Sequence, residues 1–312
     1  MYPYKYQNQD FADSVQLKEV TGSYLRYVVN FPAAHQLPYP EPNAVHGEYY
    51  RPVGSSHFPL AILIHGMGDL NVVPCRVMAR SLAKKGIASF ILYLVYHSIR
   101  MPKDMKNRFP ALTSEEWFET YRTSVIEIRQ IVDWAKDMTE INTDKIAVVG
   151  TSVGGILSSI AMGIDKRIKA GVFIITGGNW EVMTWHSKSR TARTNHNCTR
   201  EECHLIHTEH YPRYMAEIAE KGIENVTPVK SCFLTDPITF AAGLRNRHVF
   251  MINARWDQIV PRQCSVDLWQ ASGNPPILWL PATHLTIYLW YPLILQRVRS
   301  YLAGVFNMKN TP

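Results

Sequence analysis

The chain has 312 residues, enough for one large domain or two modest ones, and its 46% hydrophobic and 19% charged residues exclude wholesale disorder, a collagen-like repeat and a coiled-coil rod. Lys and Arg outnumber Asp and Glu by 33 to 26, a formal charge of +7 that attracts anions at long range. Its two basic clusters (Arg100, Lys103, Lys106, Arg108; Lys188, Arg190, Arg193, Arg200) lie in no helix-turn-helix, zinc-finger or RNA-recognition pattern, so nucleic acid is not an expected partner.

The N-terminal section, residues 1–57, reads as extended: residues 23–30 (SYLRYVVN) and 45–50 (VHGEYY) are rich in aromatic and β-branched side chains, which predicts an antiparallel pair of strands. The pattern then changes. Residues 58–64 (FPLAILI), 87–95 (IASFILYLV), 145–149 (KIAVV) and 172–175 (VFII) are near-continuous apolar runs, as in strands covered on both faces by helices. Between the second and third, Thr113 and Glu116 form a capping box, and Trp117, Tyr121, Val125, Ile128, Val132 and Ala135 recur at helical spacing.

Residues 178–244 break this rhythm with histidines, cysteines, prolines and aromatics, and read as an inserted cap whose clearest helix, 212–221, stops at Gly222. Two later strands, 248–253 (HVFMIN) and 277–280 (ILWL), flank a helical stretch at 264–270. The alternation predicts an α/β fold with a mostly parallel sheet, its core in residues 58–177 and 245–312. The longest apolar stretch, 285–295, contains Thr286 and Pro292 and falls short of the roughly 18 residues of a membrane span, so no spanning segment is expected. The start MYPYKYQNQD lacks a secretory pattern, which makes the cytoplasm the expected location and reduced thiols the expected state of Cys75, Cys198, Cys203, Cys232 and Cys264.

Chemistry concentrates at Gly150-Thr151-Ser152-Val153-Gly154, between the strand KIAVV and the small-residue helix GILSSIAMG. A sharp strand-to-helix turn there exposes the serine hydroxyl in front of the free N–H groups of a helix N-terminus. A hydroxyl is a weak nucleophile and needs a base held in the right tautomer by an acid. His284 follows the strand ILWL and Asp257 the strand HVFMIN, so these are the expected base and acid; Asp236, in a turn-forming Asp-Pro pair, ranks below Asp257. A developing oxyanion needs two donors. The Val153 N–H is one, and His65-Gly66-Met67-Gly68 suggests the Met67 N–H as the other, with His65 holding the loop.

These segments, HGMG, GTSVGG, WDQIVP and THL, in this order and on these elements, resemble the α/β-hydrolase superfamily from about residue 58 to the C-terminus. The N-terminal strands, the YHSIR stretch and the insertion after VFIITGG resemble its dienelactone-hydrolase, acetyl-esterase and prolyl-oligopeptidase-type branch. The resemblance implies an eight-stranded, mostly parallel sheet flanked by helices, no cofactor, and hydrolysis through an acyl-enzyme; the cap, expected after strand 6, is read from the break in the sequence rhythm and matches no family pattern. The expected activity is that of a serine carboxylesterase on small to medium esters. A peptidase or amidase using the same triad, or a binding protein that keeps the fold without catalysis, are the alternatives.

In the cap, Trp180 and Trp185 are expected substrate-pocket walls. His196, Cys198, Cys203, His204, His207 and His210 are dense enough to suggest zinc, but their spacing matches no standard site, so no metal is expected and the stretch reads as a polar lid.

Overall fold

In the computed structural model, which describes residues 2–7, 11, 14–54, 57–68, 72–194 and 196–308, the apolar runs become neighbouring strands of one sheet. The chain enters through β1 (Ser14–Val20), β2 (Tyr24–Pro32), β3 (Ala44–Pro52) and β4 (Phe58–Ile64), followed by α1 (Val72–Ala83), β5 (Ala88–Leu92), α2 (Ser114–Asp137), β6 (Ile141–Thr151), α3 (Val153–Ile164) and β7 (Ile168–Ile174). Among the described residues the α-helices that then intervene are α4 (Trp180–His186), α5 (Arg190–Thr194), α6 (Arg200–Leu205), α7 (Tyr211–Lys221), α8 (Cys232–Thr235) and α9 (Pro237–Phe240). The chain returns to the sheet with β8 (His248–Ala254), α10 (Arg262–Ala271), β9 (Ile277–Leu280) and α11 (Tyr291–Val305). None of the described helices is long and apolar enough to cross a membrane.

The strand order is β1-β2-β3-β5-β4-β6-β7-β8-β9, antiparallel from β1 to β5 and parallel from β5 to β9. Among the described residues nine strands replace the expected eight, and the added one is β1. Its sequence SVQLKEV has no apolar run, and Val15, Leu17 and Val20 stay exposed. Pairing with β2, from Ser14 opposite Asn30 to Val20 opposite Leu25, makes it a strand. The segment that breaks the α/β rhythm therefore follows the seventh strand rather than the sixth.

β4 explains the layering. All seven of its side chains are buried, yet Leu60, Ile62 and Ile64 pack with α2 and α3 on one face while Ala61 and Leu63 pack with α1 and α11 on the other. α2 opens on the capping box expected at Thr113 and Glu116. It also carries Glu127, fully buried, which receives Arg100 Nη1 at 2.8 Å; the same guanidinium donates to the Tyr93 and Pro42 carbonyls. This bidentate pair, with Nη1 and Nη2 also donating to backbone, anchors the irregular stretch after β5 between β3 and α2.

Beside it, the His46 ring on β3 meets Tyr93 edge to face at 4.8 Å and Asn30 Oδ1 through Nδ1. Burial, assisted by the Arg100 charge, pushes His46 down to about 4. Because that value lies below the unfolded one, near 6.5, protonation works against the fold: the contribution is complete above about pH 6.5 and is lost as pH falls through about 4. In urea unfolding, His46→Phe should therefore lose less stability than the parent between neutral pH and about pH 4; parallel pH profiles for the two proteins contradict the assignment.

Candidate active site

β6 runs into α3 through a single residue. Ser152 is the N-cap of α3 with φ 56° and ψ −122°, a conformation that costs a non-glycine residue about 1–3 kcal/mol. The flanking glycines allow it. A Cβ on Gly150 would collide with the Gly154 carbonyl, and one on Gly154 with the Ile64 and His65 carbonyls, so the first turn of α3 lies directly against the end of β4. Gly155 packs as tightly on Thr176, and Ser152 N–H donates to the Ile174 carbonyl at 2.8 Å, tying the turn to β7.

Asp257 and His284 come from the loops that follow β8 and β9. Asp257 Oδ1 accepts the Ile259 and Val260 N–H groups, both at 2.8 Å, which fixes the carboxylate and leaves Oδ2 for His284 Nδ1 at 2.7 Å. Two ladder-like bonds, Arg255 N–H to Leu280 O at 2.9 Å and Trp256 N–H to Ala282 O at 3.0 Å, hold the two loops in register. A carboxylate only accepts, so Nδ1 carries the proton and Nε2 is the acceptor for the Ser152 hydroxyl 3.1 Å away. The side chains of Asp257 and His284 are 3% and 13% exposed, so little water competes for these bonds.

The loop after β4 completes the surroundings. His65 is buried, its Nδ1 donating to the Gly66 carbonyl at 2.6 Å and its Nε2 accepting the Leu94 N–H at 3.1 Å, so it braces the loop that carries Met67. Val153 is the first residue of α3, where a backbone N–H has no acceptor within the helix. Met67, Val153, Ser152 and His284 line one cavity of about 430 Å³, with the segment between β7 and β8 forming much of its far wall. Trp180 is in that wall, edge to face with Tyr121 at 6.0 Å. Trp185 is not: five residues along α4 turns a side chain about 140° away, and its indole packs behind the wall on His196 at 4.7 Å.

Asp236 sits far from His284's partners in role. It caps α9 and accepts N–H bonds from Asn179, Trp180 and Ile238 at 2.9–3.1 Å, clamping the two ends of the β7–β8 segment, while burial pushes its carboxyl up. Among the described residues no three His, Cys, Asp or Glu side chains converge as a metal site; His204 pairs with Glu181, and His207 Nδ1 donates to the Cys203 carbonyl. Sequence periodicity marked Trp117 and Tyr121 as core of α2, and they are 8% exposed, but together with Phe118 they also wall the cavity. Only the packing of α2 against the β7–β8 segment distinguishes these two roles, and periodicity carries no signal of it.

Residues 23–299 match the family described as Alpha/beta hydrolase domain containing 18. The chain belongs to that family. A search of curated protein sequences gives no match. Among solved structures, this hydrolase-family chain is similar to an acetyl xylan esterase from Paenibacillus sp. R4, at 16% identity and a TM-score of 0.66 over 94% of this chain and 90% of that one. It is also similar to acetyl xylan esterase 1 from Thermoanaerobacterium sp. JW/SL YS485, at 14% identity and a TM-score of 0.61 over 96% and 91% of the two chains. A Pyrococcus horikoshii acylaminoacyl peptidase matches at 11% identity and a TM-score of 0.61, with 94% of this chain aligned to 43% of that one. At these identities the likeness is one of fold.

The strained turn gives a direct stability readout. Ser152→Ala keeps the positive φ and Ser152→Gly relieves it, so the glycine variant should be the more stable of the two by about 1 kcal/mol in urea unfolding; an alanine variant as stable as the glycine one contradicts strain at this residue.

Proposed function

We propose that this protein is a serine carboxylesterase acting on small to medium carboxylic esters through an acyl-enzyme. The observation that carries this is the unbroken hydrogen-bond chain Asp257, His284, Ser152, ending in a hydroxyl that faces a mostly apolar cavity. In the proposed mechanism His284 Nε2 takes the Ser152 proton as Oγ attacks the ester carbonyl, then returns it to the departing alcohol. The imidazolium formed in between is stabilised by Asp257, which acts as a positioning residue and keeps its own two backbone donors throughout. The Met67 and Val153 N–H groups serve as donors to the tetrahedral oxyanion, and Trp180 serves as a wall for the substrate. Water then repeats the sequence on the acyl-enzyme with His284 as base. No step calls for a cofactor, and the reading keeps the cytoplasmic setting drawn from the sequence.

Family membership and the esterase folds it resembles support hydrolysis; the similarity to an acylaminoacyl peptidase makes amide cleavage the competing outcome. The test is one acyl group presented as p-nitrophenyl ester and as p-nitroanilide. Ester turnover without comparable anilide turnover is expected, and a preference for the anilide overturns the esterase assignment. Asp257→Asn should lower kcat by about 10⁴-fold with KM little changed, because it leaves the histidine in the wrong tautomer; a variant with full kcat removes Asp257 from the mechanism.

A further inference from the structure

Three free thiols, Cys198, Cys203 and Cys232, line the same cavity, and the esterase chemistry uses none of them. Two of them are brought together by the way α6 begins. Thr199 is its N-cap, and the reciprocal bonds between Thr199 and Glu202 form a complete capping box. In that motif the residue before the cap folds over the fourth helical residue, a contact usually made by two apolar side chains. Here those positions are Cys198 and Cys203, and both side chains line the cavity, with Cys198 among the groups that, after burial, raise the Cys203 thiol.

The surroundings hold this contact and grade access to it. His196 Nδ1 donates to the Cys198 carbonyl at 2.9 Å, and His207 Nδ1 lies 3.6 Å from the Cys203 sulfur while donating to the Cys203 carbonyl. Cys203 is 4% exposed, whereas Cys198 is only half-buried. Burial also pushes the Cys203 thiol up to about 11 and the Cys232 thiol up to about 12, which makes both poor first nucleophiles.

We propose that Cys198 and Cys203 are a reversible dithiol–disulfide pair in the cavity wall, oxidised by a small-molecule disulfide such as oxidised glutathione, and that closing the pair alters which substrates the cavity admits. The second half rests on the esterase reading of the cavity; the first does not. Cys198 thiolate attacks one sulfur of the small disulfide and releases one thiol, leaving a mixed disulfide. Cys203 loses its proton and attacks the Cys198 sulfur, and the second small thiol leaves. Two protein thiols are oxidised, one small disulfide is reduced to two thiols, and the two thiol protons end on those products. The new bond draws the two sulfurs to about 2 Å and ties the stretch before Thr199 to α6, reshaping the wall on which a bulky acyl or alcohol group rests.

Trypsin separates the three candidates cleanly, since residues 194–200, 201–213 and 231–245 form distinct peptides with one cysteine each. Full-length protein is incubated with oxidised glutathione, its remaining thiols are blocked with N-ethylmaleimide, and it is digested without reductant. Peptide 194–200 joined to 201–213, released by dithiothreitol, lost in Cys198→Ser and kept in Cys232→Ser, is the expected result. Linkage through Cys232, glutathione retained on Cys198, or three maleimide-blocked thiols overturns the pair.

On the same preparations, turnover of a long-chain p-nitrophenyl ester relative to the acetate should change by about 10-fold on oxidation, the discrimination that small changes in a closed apolar pocket produce. It should recover on reduction and be insensitive to oxidant in Cys198→Ser. An oxidised, disulfide-mapped protein with an unchanged ratio overturns the link to selectivity. A reduced protein that hydrolyses no ester overturns the esterase reading instead, while the peptide map still decides the disulfide.

Discussion

The tight turn at the end of β6 is the constraint on which the rest of the structure depends. A buried strand becomes a helix in one residue, and that is possible only because Gly150, Gly154 and Gly155 let backbone and Thr176 approach where a methyl group could not fit. Strain of about 1–3 kcal/mol at Ser152 is held by contacts on every side: β4 beneath α3, the Ile174 carbonyl on the Ser152 N–H, and the first hydrogen bonds of α3 back to the Ser152 carbonyl. The same packing that strains the serine also brings the His65–Gly68 loop against the helix N-terminus, so the hydroxyl and both proposed oxyanion donors are placed by one close-packed junction.

Asp257 and His284 are positioned by a separate device. Each lies just beyond a parallel strand, and the bonds from Arg255 and Trp256 to the β9 loop extend the β8–β9 register past the sheet edge. Orientation is then a matter of counting acceptors: one Asp257 oxygen is occupied by two backbone N–H groups, and the other is left for a single imidazole donor. A histidine whose Nδ1 is so committed has one ring nitrogen left to act on Ser152. Across the sheet edge, the helices between β7 and β8 close the cavity, and Asp236 fastens their two ends together, which keeps that wall at a set distance from the serine.

The parts that were legible in the sequence are those where local chemistry and fold coincide. Glycines around Ser152, the capping box at Thr113 and Glu116, and strand-end placement of Asp257 and His284 each follow from residue type and spacing. The parts that were not legible depend on contacts distant in sequence. β1 is a strand because β2 offers it an edge, with its apolar side chains left exposed. Trp180 and Trp185 are equivalent as residue types, and only the phase of α4 turns one toward the cavity and the other behind it. Trp117 and Tyr121 read correctly as buried, but whether a buried aromatic faces core or cavity is decided by what the opposite wall brings. The proposed pairing of Cys198 with Cys203 belongs with these: the capping box at Thr199 and the shared place of both residues on the cavity wall came from the fold.

The central claim is that Ser152 is a nucleophile activated by His284, and the most direct measurement of it is site-mapped labelling with a fluorophosphonate. Intact-mass analysis followed by peptide mapping should find one adduct, on Ser152, and none in Ser152→Ala. An unlabelled protein, or an adduct on another cavity hydroxyl such as Ser189 or Ser231, would contradict it.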